Sequence, residues 1–170
     1  GLALGGVADD SHAAVAGSVA YVVHAVLTLA GLYLVAGVIE RLTGEADTRR
    51  MGGLYANHPM VALLCLALFL AVAGVPPFLG FWPKLELLTG FVGSGHVPLA
   101  IGLLVSSLLS LIAGARLWSH IFWRAAPEGI VPGRARLAPS LLLAGTVLIL
   151  GVAPGFLLKV ADTAATGLLD

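Results

Sequence analysis

The 170-residue chain is 59% hydrophobic and only 11% charged, where a soluble domain carries roughly 25% charged residues, and its mean hydropathy is +1.01. Nine basic and nine acidic residues cancel, so charge offers no reason to propose nucleic acid or an acidic partner. Cys65 is the single cysteine, which excludes an internal disulfide and a thiolate metal cluster. Lipid is the solvent such a composition asks for, and with no strand-length alternation the spanning form is the helix. The expected fold is all-α, a polytopic transmembrane bundle in a single region.

In chain order, Gly1–Val7 reads as the tail of a preceding helix. With neither an initiating methionine nor a basic n-region, the chain reads as a piece of a longer polypeptide. Asp9, Asp10 and Ser11 make a polar turn, and from His12 to Ile39 no Asp, Glu, Lys or Arg occurs. A span is expected at 13–40, long enough to cross a hydrocarbon core of ~30 Å with tilt. His24 and Thr28 lie inside it, and Gly17, Gly31 and Gly37 offer close helix approaches. A polar connection holding Arg41, Arg49 and Arg50 runs to His58.

Pro59 suits a first helical position and opens an apolar stretch over 59–93. That is too long for one straight crossing. Gly74, Pro76 and Pro77 interrupt it at 74–77, since two prolines remove two donors and push Val75 out of the helical region. The expectation is one discontinuous helix. A short turn leads to a span at 97–120 carrying Ser106, Ser107 and Ser110. A second basic connection follows, with Arg116, Arg124, Arg134 and Arg136 and with Pro127 and Pro132 as breakers. The last span is expected at 137–158, ended by Lys159, with a short amphipathic tail after it.

Lys84 stands in apolar sequence within about two turns of the break. A lysine at the bilayer centre costs at least ~2.5 kcal/mol, so its default reading is functional, and a broken helix beside a buried amine marks an ion site. The alternative is a lysine that snorkels to the outer interface. His24, midway along its span, either relays protons or is held by a neighbouring helix as packing. Thr28, one turn later, is either its same-face partner or bonds back to the His24 carbonyl.

Other chemistry is thinly supported. His12, His58, His96 and His120 fall at span ends or in loops, and no HExxH or Cys/His cluster indicates a metal. No phosphate-binding loop and no nucleophile–base motif is present, so enzymatic bond chemistry is not expected. Trp82, Trp118 and Trp123 read as interfacial anchors or packing. If each span crosses once, the basic connections share one side. The positive-inside rule then makes 41–58 and 121–136 cytoplasmic and Asp9 external.

Three stretches are familiar: HAVLTLAGLYLVAG (24–37), MGGL (51–54) and AVAGVPPFLGFWPKLELLTGF (71–91). They resemble the proton-conducting antiporter-like membrane subunits, a family that includes subunits of the multisubunit Mrp Na⁺/H⁺ antiporters and of respiratory complex I. The pattern G-(I/V)-P-P-x-x-G-F-x-x-K is its most specific block, and the chain is most similar to the C-terminal third of a D-type Mrp subunit. FWRAAPE stands where that subtype carries F-W-G-E. The resemblance implies that Lys84 is the ionisable residue of the broken helix and that His24 belongs to a hydrated central axis. Many relatives carry a lysine four or five residues after this histidine, where Thr28 and Leu29 stand here. The family's glutamate–lysine pair would lie before Gly1.

The expected function is proton translocation within a multisubunit cation/proton antiporter of a prokaryotic plasma membrane, through Lys84, His24 and Thr28 with water between them. Its partners would be the other subunits, lipid and protons, with Na⁺ as the candidate cation, and with no cofactor and no nucleic acid. The alternatives are a proton-pumping subunit of NADH:quinone oxidoreductase, or a structural membrane subunit that no longer transports. The sidedness is checked directly. A cysteine replacing Asp47 should be protected from an impermeant thiol reagent added outside, and one replacing Gly95 should be labelled. The reverse pattern would invert the topology.

Overall fold

The structure, a computed structural model, describes residues 12–125 and 137–169. Gly1–Val7, Asp9, Asp10, Pro127, Pro132, Arg134 and Arg136, on which parts of the sequence reading rest, lie outside the described residues. Among the described residues every regular element is helical. The helices are α1 (His12–Thr43), α2 (Leu54–Asn57), α3 (Pro59–Ala73), α4 (Phe81–Gly93), α5 (Val97–Phe122), α6 (Ala138–Val152) and α7 (Gly155–Leu169). A 3-10 turn at Thr48–Arg50 sits in the first basic connection.

α1 and α5 are each long and apolar enough to cross a membrane on their own. α3, at 15 residues, is not, because it covers only about 22 Å at 1.5 Å per residue. The break is wider than 74–77: helix stops at Ala73 and resumes only at Phe81. Gly74 supplies the reason at the first end. It sits at φ 81, the left-handed region open to glycine, and its N–H reaches the Ala71 carbonyl while the Val75 N–H reaches that of Leu70. This is a Schellman ending, reinforced because Pro76 and Pro77 can donate nothing further.

The end of the chain differs from the expected span at 137–158. α6 stops at Val152, and a second helix, α7, leaves it at a bend of 77°. Pro154 has no N–H to return to Leu150, so regular helix cannot continue. The expected tail is therefore a 15-residue helix, docked back on the start of α1. Ala165 packs with Val15 and Ala16. His12 stands 3.2 Å from the Thr166 hydroxyl and 3.5 Å from the Asp162 carboxylate.

α1 is the central post, packed against α3, α4, α6 and α7. Small residues permit its closest crossings. A Cβ added to Gly90 of α4 would lie 2.7 Å from both the Cβ and the backbone nitrogen of Ala14. α3 and α5 are held together by the Trp118 indole, which donates to the Ala62 carbonyl at 2.8 Å. Trp118 is thus a packing residue, whereas Trp123 is exposed. Ser106, Ser107 and Ser110 of α5 donate to carbonyls of their own helix, at Leu103 and Ser106. At the far end of the bundle the Arg124 guanidinium donates to the Arg49 carbonyl at 3.1 Å, so the two basic connections meet there.

The glycine crossings give a stability test. Gly90→Ala should cost about 1–3 kcal/mol, because backbone rather than a flexible side chain stands in the way. Gly145→Ala, where nothing lies within 4 Å, should be neutral or gain up to about 1 kcal/mol through helix propensity. Thermal melts of the purified protein that rank these two variants the other way would contradict the packing described.

Candidate functional site at the helix break

The end of α3 poses a question of supply: where do its last carbonyls find donors? A helix leaves four without partners inside itself, and at membrane depth water is not freely available to replace them. Leu70 and Ala71 are served by the Gly74 and Val75 N–H groups. The remaining two, Val72 and Ala73, both accept from the Lys84 ammonium, at 2.8 and 2.9 Å. Lys84 therefore turns back toward the break instead of snorkelling outward, and the negative end of the α3 dipole faces it.

The aliphatic part of Lys84 lies over Gly74, where an added Cβ would come within 2.7 Å of Cδ and 3.2 Å of Nζ. Glycine is thus required at position 74 twice, for its left-handed backbone and for the space Lys84 fills. The first turn of α4 that carries Lys84 also contains Pro83, tolerated because no intrahelical donor is missed there.

His24 meets the same segment from α1. It is 3% exposed, and its ring covers Gly80, where a Cβ would lie 2.9 Å from Nε2 and would also collide with the Ala71 carbonyl. Thr28 is its same-face partner: the hydroxyl is 3.1 Å from Nδ1. The hydroxyl can donate to Nδ1 or accept from it, according to the tautomer. In both cases Nδ1 is engaged and Nε2 faces the break. Tyr21 adds an edge-on ring contact.

The structure therefore brings Lys84, His24, Gly74, Pro76 and Pro77 to one irregular segment, with Thr28 behind His24. The sequence reading missed Gly80, Trp82 and Gly151. Trp82, read there as an interfacial anchor or packing, donates to the Gly151 carbonyl at 2.7 Å, and Gly151 lies against the backbone of 77–79. The signals were present: Gly80 and Trp82 stand inside the quoted motif, and Gly151 precedes Pro154 by three. The described residues hold no group of three or more His, Cys, Asp or Glu arranged for a metal ion.

Comparison with known proteins decides the family. The NADH:quinone oxidoreductase/Mrp antiporter transmembrane family matches residues 1–110. The chain belongs to this family. It is 31% identical over 175 residues to the D-type Na(+)/H(+) antiporter subunit of Bacillus subtilis, an alignment covering all of this chain and 35% of that protein. It is 35% identical over 111 residues to the D-type antiporter subunit of Alkalihalophilus pseudofirmus, covering 65% of this chain and 22% of that one. Among solved structures, the Mrp complex from Dietzia sp. superposes with a TM-score of 0.89 at 26% identity, over 97% of this chain and 40% of the matched one. Respiratory complex I from Thermus thermophilus superposes with a TM-score of 0.84, also at 26% identity, over 99% and 37%. The chain thus spans about a third of the length of the Bacillus subtilis relative. Family membership and apolar helices together make it a multi-pass membrane protein.

The His24–Thr28 pair is tested by a near-isosteric change. Thr28→Val removes the hydroxyl and leaves a buried ring nitrogen unsatisfied, costing about 1–3 kcal/mol, and Thr28→Ser restores most of it. Equal melting temperatures for Val and Ser at this position would remove the bond from the account.

Proposed function

We propose that this chain is the C-terminal part of a proton-translocating subunit of a multisubunit cation/proton antiporter, with Lys84 carrying the proton at the break. The observation that supports this most is the pair of hydrogen bonds that Lys84 donates to the Val72 and Ala73 carbonyls. An ammonium has three N–H groups, and two are engaged here. A neutral amine retains two. The residue can therefore surrender its third proton and still cap both carbonyls, so charge can come and go without leaving the broken helix unsatisfied.

His24 supplies a second proton-bearing group at the same segment, with Nε2 against Gly80. Proton movement between His24 and Lys84 runs through water at the break, and the charge on one biases the other. Two charges ~4 Å apart interact by ~4 kcal/mol at an intermediate effective dielectric. Thr28 orients the imidazole and carries no charge of its own, so the lysine of many relatives has no counterpart in this turn. The basic connections that meet at Arg49 and Arg124 face the cytoplasm under the positive-inside rule, and the Lys84 side of the break leads outward. The other subunits of the assembly are the partners. Structural likeness to complex I also supports a reading as a subunit of NADH:quinone oxidoreductase; identifying co-purifying chains separates the two.

Substitution at 84 separates capping from proton transfer. Lys84→Arg keeps donors for both carbonyls but stays protonated at any accessible pH. It should assemble and melt like the parent yet lose most cation-dependent proton flux in inverted vesicles. Lys84→Ala should lose the flux and also about 1–3 kcal/mol for each carbonyl left bare. Full flux in Lys84→Arg, normalised to assembled complex, would show that this residue only caps. His24→Ala should lower flux with assembly retained; poor assembly with normal specific flux would instead make His24 a packing residue.

A further inference from the structure

Two helix breaks inside apolar sequence, at 74–80 and at Ala153–Pro154, lie against each other. α6 reaches the first break at Gly151, where a Cβ would stand 2.5 Å from the Pro77 carbonyl oxygen and 2.6 Å from the Leu79 nitrogen. No side chain larger than hydrogen fits between the two backbones. Gly151 also belongs to the last turn of α6, whose carbonyls lose their helical donors at the bend. One of those carbonyls, that of Gly151, is taken by the Trp82 indole N–H at 2.7 Å.

The two caps share an origin. Trp82 and Lys84 both stand in the first turn of α4. Residues two apart on a helix point to different faces, so one turn reaches two helix ends on opposite sides: Lys84 to the end of α3, Trp82 to the end of α6. We infer that Trp82 is a positioning residue, which fixes the Lys84-bearing turn of α4 to the α6–α7 elbow so that movement at either break is felt at the other. The transport aspect of this inference rests on the proton-carrying role proposed for Lys84. The mechanical aspect does not, since it follows from the indole bond and the Gly151 approach alone.

The test removes one N–H. Trp82→Phe deletes the donor and keeps an aromatic ring. Benzothienylalanine placed at 82 replaces the N–H by sulfur with the ring shape unchanged, and it serves if the Phe variant fails to assemble. In the intact complex, hydrogen exchange should quicken together at 78–82 and 149–153, by about tenfold for the loss of one such bond. The pH profile of proton flux should shift while assembly stays normal, and Trp123→Phe, at an exposed indole, should change neither. Parental exchange in either segment overturns the coupling. A parental pH profile in a complex that Lys84→Ala inactivates overturns the positioning role. If Lys84→Ala transports normally, the proton-carrying reading fails instead, and the exchange result alone decides whether the two breaks are joined.

Discussion

A backbone carbonyl that leaves its helix at membrane depth must be met by a donor from within the protein, and the arrangement of this bundle follows from that requirement. A continuous helix meets it automatically. Here apolar helix is interrupted at two places, and each interruption is answered by a particular donor: two backbone N–H groups and an ammonium at the end of α3, an indole at the end of α6. The glycines at 74, 80 and 151 exist for the same reason, because they let those donors and the backbones they serve approach closely. The candidate proton carrier is thus also a structural member, and its charge and its capping role have to be separated by chemistry that keeps one and removes the other.

Much of this was legible in the residues. The all-helical class followed from composition, and the first break followed from Gly74, Pro76 and Pro77, whose effect on backbone is local and strong. Family resemblance rested on three stretches, of which 71–91 is the most specific, and the comparisons bear it out. The extent of the break was not legible. Phe78 and Leu79 have no aversion to helix, and distant contacts, of Gly80 with His24 and of Gly151 with the 77–79 backbone, pack against the irregular segment. The second break was within reach, because Pro154 obeys the same rule as Pro76, but a lone proline in an apolar run allows either a kinked span or a bend of 77°. Lys84 illustrates the limit best. Its spacing from the break allowed a side chain turned inward or one reaching for the interface, and only the orphaned carbonyls of Val72 and Ala73 distinguish these.

The Thr28 position holds the imidazole through a group that carries no charge. On α1, position 28 is buried against His24, whereas Leu29 is 51% exposed on another face. A side chain at the first place addresses His24, and at the second it leaves the bundle on another face of α1. The present chain keeps a hydrogen-bonding group at the first and an apolar one at the second.

The length of α1 has a consequence for depth. Its uncharged run from His12 to Ile39 is about 40 Å long at 1.5 Å per residue, well beyond a hydrocarbon thickness of ~30 Å. Such a helix has to lean or let its ends emerge. Leaning displaces the ends of a rod and leaves its middle where it was, and His24 sits near that middle, about 18 Å from one end and about 22 Å from the other. With that run centred on the hydrocarbon core and leaning about its own middle, the imidazole falls near the midplane at any inclination.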